Sequence, residues 1–357
     1  MNKRYLLFGV AILLAIPRAA GQSWLTHGPY LQELTTDGVT VVFEHGIPSV
    51  SWIEVREKGQ TEATDYFQTQ HGKVKAYSQI LSTKNASVPV QNFAVRAEGL
   101  KPATTYEYRV KAHKITSYDS NGMRALMLGT SNVYTSPWKT VSTQDPEQTE
   151  HHIFVTSDMH NKPDSLKMLL KYLDYKTCDR IIYNGDMTDY LQNGAEEPYS
   201  GYIDASVSLF AQNKPFEIVR GNHETRGDMS RHFTDYFPRK SGHIYNAYRW
   251  GDLEIVLLDG GEALPDDDPT SYSSMLAAYN PYREEQARWL EQLVGTEQYR
   301  TARYRIVVSH LPIPCTSDDD SEAGARYFSD LMRPILNRAD VDLMVCGHLQ
   351  PATYTFR

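Results

Sequence analysis

The stretch Val155-Thr156-Ser157-Asp158-Met159-His160 constrains this chain most. An apolar run, Ile153 to Val155, gives way to a carboxylate and an imidazole spaced i, i+2, so a buried strand delivers two metal-ligand types into the turn that follows it. Residues 181–186, 216–224, 306–310 and 343–348 repeat the design. Each is a short β-rich run that ends in Asp, Asn or His, often beside a Gly that lets the backbone turn tightly around a bound ion. Five strand ends are therefore expected to converge on one edge of a sheet.

What precedes these runs divides into three. Lys3 and Arg4 stand before an apolar run from Leu6 to Ile16, and Ala19 and Gly21 are small residues suited to cleavage, so residues 1–21 read as a secretory signal peptide. The apolar run falls short of the ~20 residues that a membrane span needs. Secretion or a periplasmic location is the expectation, with no membrane span after the leader is removed.

Residues 24–142 carry period-two patterns and no helical one, as in Val39, Val41 and Phe43, Trp52 to Val55, and Phe93 to Val95. Residues 143–150 are polar, with one Pro, and read as a linker. From residue 151 to 357 strands alternate with helical stripes: Leu166, Leu169, Leu170 and Leu173 on one, Gln286, Trp289, Leu290 and Leu293 on another. The segment from Tyr248 to Asp259 reads as a hairpin turning at Gly251-Asp252. A layered α/β sandwich follows from this mixture.

Charge bears on partners. The chain carries a net charge of −8, and loss of the leader with its three basic residues deepens it to −11. Such a surface has no general attraction for nucleic acid. The acidic runs Asp266-Asp267-Asp268 and Asp318-Asp319-Asp320 are expected to be solvated loops.

Two resemblances sharpen the reading. The segment Leu100-Lys101-Pro102-Ala103-Thr104-Thr105-Tyr106 resembles the tyrosine corner of fibronectin type III domains, which implies a seven-strand β-sandwich with Tyr106 bonded back to the turn. Gly28-Pro29-Tyr30-Leu31-Gln32 is similar to the opening of the N-terminal domain of purple acid phosphatases. Asp158-Met159-His160, Gly185-Asp186-Met187-Thr188-Asp189, Gly221-Asn222-His223-Glu224, Ser309-His310 and Gly347-His348-Leu349-Gln350 occur in the order found in calcineurin-like metallophosphoesterases, and residues 151–357 resemble that superfamily.

Hydrolysing a phosphate ester requires a nucleophile at neutral pH and neutralisation of the oxygens that repel it, and two cations ~3.5–4 Å apart supply both. The resemblance implies two divalent ions drawn from manganese, iron, zinc or magnesium. Asp158, His160 and Gln350 would hold the first, Asp186 would bridge, and Asn222, His310 and His348 would hold the second. A water between them would be the nucleophile. His223 would protonate the leaving group, the Asp189 carboxylate would orient His223, Asn222 and His223 would contact the phosphate, and Arg220 would either contact the phosphate as well or form a structural ion pair behind the loop.

The family pattern has His where Gln350 stands, and an amide oxygen suits hard ions such as manganese or magnesium better than zinc or iron. A metal-binding Tyr follows the bridging Asp by three residues in purple acid phosphatases; here Asp189 takes that place, with Tyr190 next, so their charge-transfer colour is not expected. The leading function is an exported phosphomonoesterase or phosphodiesterase. The alternative is a phosphate-ligand or partner-binding protein with a degraded first metal site.

Overall fold

The computed structural model describes residues 24–46, 48–77, 92–119, 127–192, 196–268 and 277–349. Its first half is built by alternation. Strands β1 (Leu25–Gln32), β2 (Gly38–His45), β3 (Ser49–Glu57), β4 (Thr64–Phe67), β5 (Thr69–Gln70), β6 (Lys73–Val74), β7 (Ala76–Tyr77), β8 (Asn92–Glu98), β9 (Thr105–Asp119), β10 (Met127–Thr135) and β11 (Lys139–Ser142) follow in order. The three-stranded sheet β1-β2-β8 faces the sheet β10-β9-β3-β4, to which β7 and β11 add. Leu31, Val39, Val41, Phe43, Phe93 and Val95 on one face meet Ile53, Val55, Tyr108 and Val110 on the other.

The sandwich is larger than the seven strands expected. β9 is 15 residues long and pairs with β11 over its first part and with β10 over the rest. The segment after β3 adds the short pair β5-β6 as a separate ribbon. The Tyr106 hydroxyl accepts the Lys101 amide at 2.8 Å, the contact the tyrosine-corner resemblance implies.

The second half contains β12 (Ile153–Thr156), α1 (Pro163–Tyr172), β13 (Arg180–Asn184), α2 (Asp204–Leu209), β14 (Phe216–Val219), α3 (Phe233–Tyr236), β15 (Asn246–Trp250), β16 (Leu253–Leu258), α4 (Tyr279–Val294), α5 (Glu297–Arg300), β17 (Tyr304–Ser309), α6 (Ala323–Leu336) and β18 (Leu343–Cys346). β12-β13-β14 form one parallel sheet, and β15-β16-β17-β18 form a second in which only the β15-β16 hairpin is antiparallel. The strands are apolar on both faces because both are covered. Ile182, Val219, Ile255, Leu257 and Val308 meet between the sheets. Their neighbours Ile181, Tyr183 and Ile218 turn outward to Leu166 and Leu170 of α1. On the far side Val256, Leu258 and Val307 pack on Leu290 of α4 and on Phe328 and Met332 of α6. The result is a helix–sheet–sheet–helix stack. The five motif-bearing strands thus end on two facing sheets, not on the edge of one, because two parallel triplets share a single buried layer. Leu173 falls just past α1 and is exposed, so the helix buries a narrower stripe than its sequence offers.

The two halves share a core. On β1, β2 and β8, Tyr30, Val42 and Ala94 point away from the sandwich interior and join the cluster that contains Phe216, Tyr199 and Tyr236. The Leu31 amide donates to the Ala211 carbonyl at 3.0 Å, Gln32 Nε2 to the Phe216 carbonyl at 2.9 Å, and the Tyr30 hydroxyl to the Tyr236 carbonyl at 2.7 Å. The segment read as a linker is packed as well: the Gln148 carbonyl accepts the Asp252 amide, and Gln148 Oε1 accepts Trp250 Nε1–H at 3.0 Å. Among the described residues no helix is long and apolar enough to cross a membrane.

Candidate metal centre

The loops that leave β12, β13 and β18 place their polar residues by adopting left-handed backbone. Asp158, His160, Asn161, Asp186 and His348 have φ of 57°, 45°, 56°, 53° and 68°. Outside glycine this conformation costs on the order of 1 kcal/mol or more and persists where surrounding bonds fix it. Those bonds are present: the Asp158, His160 and Asn161 amides each donate, at 3.0 Å, to the carbonyls of Gly185, Asp186 and Met187 in turn.

Glu224 fixes the other loops. Its buried carboxylate accepts the amides of Gly221 and Asp186 on Oε2 at 2.8 and 2.9 Å, and those of Met187 and Thr188 on Oε1 at 2.8 and 3.1 Å. Gly221 leaves no room for a side chain, since a Cβ there would lie 2.2 Å from Asp186 Oδ1.

Two groups of ligand atoms result, and Asp186 belongs to both. His160, Asp186 and His223 form one, and Asp186, His310 and His348 form the other, with one ligand atom per residue and each set within 4.8 Å. In the second group the tautomers are fixed from behind. His310 Nδ1–H donates to the Asn184 carbonyl at 2.7 Å, which turns Nε2 toward Asp186 Oδ2 at 3.1 Å. His348 Nε2–H donates to the Glu322 carboxylate at 3.0 Å, which leaves Nδ1 for the site.

The Asn222 amide completes that group. One end lies 3.3 Å from Asp186 Oδ2, 3.3 Å from His310 Nε2 and 3.0 Å from His348 Nδ1, and the other lies 2.9 Å from Arg226 Nη2. Three lone-pair atoms surround one point, so whatever stands there must be positive or a donor. A divalent cation that takes the Asn222 oxygen meets that need, and carboxylate, imidazole and amide donors suit a borderline-to-hard ion. Without it, protons and the amide N–H take the place. Burial alone lowers the His310 pKa, but its bond to Asp186 and the Asp186 charge outweigh this and raise it to about 9. Burial alone would raise Asp186, yet the His310 bond holds it down to about 2. A cation at this point has to displace that shared proton.

Around the first group the arrangement departs from expectation in three ways. The Asp189 carboxylate accepts from His160 Nδ1–H at 2.9 Å, whereas His223 Nδ1–H donates to the Asp189 backbone carbonyl at 2.9 Å. Asp189 thus orients both imidazoles, one through its side chain and one through its backbone. Asp158 turns its carboxylate to the His348 amide at 3.4 Å and is absent from the His160 group. Burial, aided by the Arg226 charge, lowers the His223 pKa, so its Nε2 carries a lone pair at neutral pH. Gln350 lies outside the described residues.

Arg220 is placed away from the phosphate role. Its side chain is buried and holds Asp259 with Nε at 3.2 Å and Nη2 at 2.8 Å, and Asp259 also accepts the Tyr282 hydroxyl at 2.7 Å. It braces the loop from behind because both prongs of its guanidinium are taken by that carboxylate. The arginine that reaches the ligand groups is Arg226, whose Nη1 donates to His223 Nε2 at 3.3 Å. Sequence reasoning assigned no role to Arg226, Glu224, Glu262 or Glu322. Glu224 stood inside a quoted motif, but the other three carry no local signal.

Residues 151–351 match the calcineurin-like phosphoesterase family, and the chain belongs to it. A probable glycerophosphodiester phosphodiesterase, GpdQ, of Arcobacter nitrofigilis is 22% identical over 179 residues, which are 50% of this chain and 58% of that protein. The purple acid phosphatase PPD1 from yellow lupin (Lupinus luteus) seeds has the same fold, with a TM-score of 0.60 at 13% identity over 90% of this chain and 58% of that one. The chain thus spans little more than half the length of these relatives. The likeness to the lupin protein covers the sandwich as well as the α/β stack.

Proposed function

We propose that this chain is an exported hydrolase of phosphate esters that works with two divalent cations, drawn from manganese, iron, zinc or magnesium, one on either side of Asp186. The observation that carries the reading is the shared carboxylate: both ligand groups use Asp186, and a carboxylate between two cations offsets their mutual repulsion. His160 stands with it on one side, with His223 Nε2 beside the pair as the proton carrier and not as a ligand, and Asn222, His310 and His348 stand on the other. When bound, the cations supply neutralisation of the phosphoryl charge and a water acidic enough to act as nucleophile.

The chain's own residues supply the remainder. Asp189 and Glu322 hold His160 and His348 in one tautomer each. His223, oriented by the Asp189 carbonyl, presents the Nε2 lone pair toward the site, where it would take up the proton that the attacking water gives up and pass it to the departing alkoxide. The leader pattern of residues 1–21 is the ground for export. The test is turnover of a chromogenic phosphate monoester and its matching diester by the metal-loaded chain. Hydrolysis of at least one ester, lost on adding a chelator and restored by manganese, is the expected outcome; hydrolysis indifferent to the chelator would refute it.

A further inference from the structure

We propose that Arg226 is the phosphate-binding arginine of this site and that it directs the site to phosphate monoesters, an inference that rests on the phosphoesterase reading above. Of the two arginines in Arg220-Gly221-Asn222-His223-Glu224-Thr225-Arg226, only the second touches the ligand groups. Its Nη1 reaches His223 Nε2 at 3.3 Å, and its Nη2 lies 2.9 Å from the end of the Asn222 amide that faces away from the ligand groups. A group bound between those two residues lies within the guanidinium's reach.

The guanidinium is held in place from the opposite side. Glu262, itself 1% exposed, accepts Arg226 Nε at 2.7 Å and Nη2 at 2.9 Å, and it also accepts the Ala263 amide at 2.9 Å. The Glu262 loop is locked in turn. Arg283, fully buried, donates to the carbonyls of Gly260 and Glu262, and a Cβ on Gly324 would come within 2.8 Å of the Glu262 carbonyl. Removing a carboxylate and a guanidinium from water costs several kcal/mol per ion, so a pair of this kind is a weak stabiliser of a loop. It is an effective way to hold a charge still beside a reacting group, where a preorganised donor has no reorganisation left to undergo.

Counting oxygens gives the substrate class. A monoester presents three terminal oxygens and a diester two. Two cations sharing Asp186 would take two, and the planar guanidinium would then have a charged acceptor left only in the monoester.

The experiment uses the full chain loaded with manganese and the variant Arg226→Gln, with metal content, calorimetric binding of inorganic phosphate, and kcat/KM for matched monoester and diester measured in parallel. Because Arg226→Gln leaves Glu262 buried without its partner, the double variant Arg226→Gln/Glu262→Gln is measured beside it. The expected result in both variants is an unchanged number of metals, phosphate binding weakened about 30-fold, and monoester kcat/KM lowered about 30-fold or more with the diester changed less than about 5-fold, as for loss of one charge-assisted pair. Equal losses on both esters, a starting protein that prefers the diester, or metal lost with the arginine would overturn the proposal. A starting protein that binds phosphate through Arg226 yet turns over neither ester would leave the arginine's contact standing and refute the hydrolase reading instead.

Discussion

Single residues in this site act through pairs, and the pairs separate what can be read in a sequence from what cannot. His348 presents Nδ1 to the second ligand group because Glu322 takes Nε2–H at 3.0 Å. Replacing Glu322 with Gln keeps the shape and removes the charge. The variant should bind manganese at that group about 10- to 100-fold more weakly, with the circular dichroism spectrum unchanged, when titrated against a competing chelator. An unchanged affinity would show that Glu322 is a bystander. The structure brings together Asp186, Asn222, His310 and His348, and each was marked in the sequence by its place one to three residues past the end of an apolar strand. Glu322 and Glu262 were not, since they arrive from loops about 26 and 36 residues away along the chain from His348 and Arg226, and nothing local marks them. Arg220 left two readings open in the sequence, a phosphate contact and an ion pair behind the loop, and the fold takes the second, with Asp259.

At the scale of elements, the ends of strands β12, β13 and β14 are knit into one unit by backbone bonds and by Glu224. That carboxylate satisfies four amides that water cannot reach. Glu224→Ala should therefore destabilise the chain by about 3 kcal/mol or more and reduce activity even below its melting temperature, read by denaturant unfolding and by turnover. A variant of unaltered stability would mean that the amides find other partners. The strands themselves were visible as apolar runs, and their unbroken apolar character fits two covered faces. What the sequence hid was that these runs belong to two sheets, because a run apolar on both sides does not say which neighbour covers which face. The acidic runs resolve into helix caps: Asp266 accepts the Tyr279 and Asn280 amides at the start of α4, and Asp319 accepts the Ser321 amide before α6.

At the scale of the whole molecule, the sandwich is a structural wall of the α/β stack. Tyr30 is fully buried in the core of the second half, and His27 bonds Asp204 at 3.0 Å through Nδ1 while it stacks on Tyr199 with centroids 3.9 Å apart. Tyr30→Ala should cost ~3–5 kcal/mol, and both halves should melt in one transition, seen as a single calorimetric peak that moves as a whole. Two peaks, with only one displaced, would show that the halves are independent. The central claim concerns Asp186 at the meeting point of both sheets, and the most direct measurement is the number of manganese ions bound per chain, by calorimetric titration of metal-stripped protein, for the natural sequence and for Asp186→Asn. The account predicts two ions for the first and at least one lost in the variant, with ester hydrolysis falling about 1,000-fold. Two ions retained at full affinity in the variant, or a natural chain that binds fewer than two and turns over no ester, would contradict it, and the latter would favour a phosphate-binding protein over an enzyme.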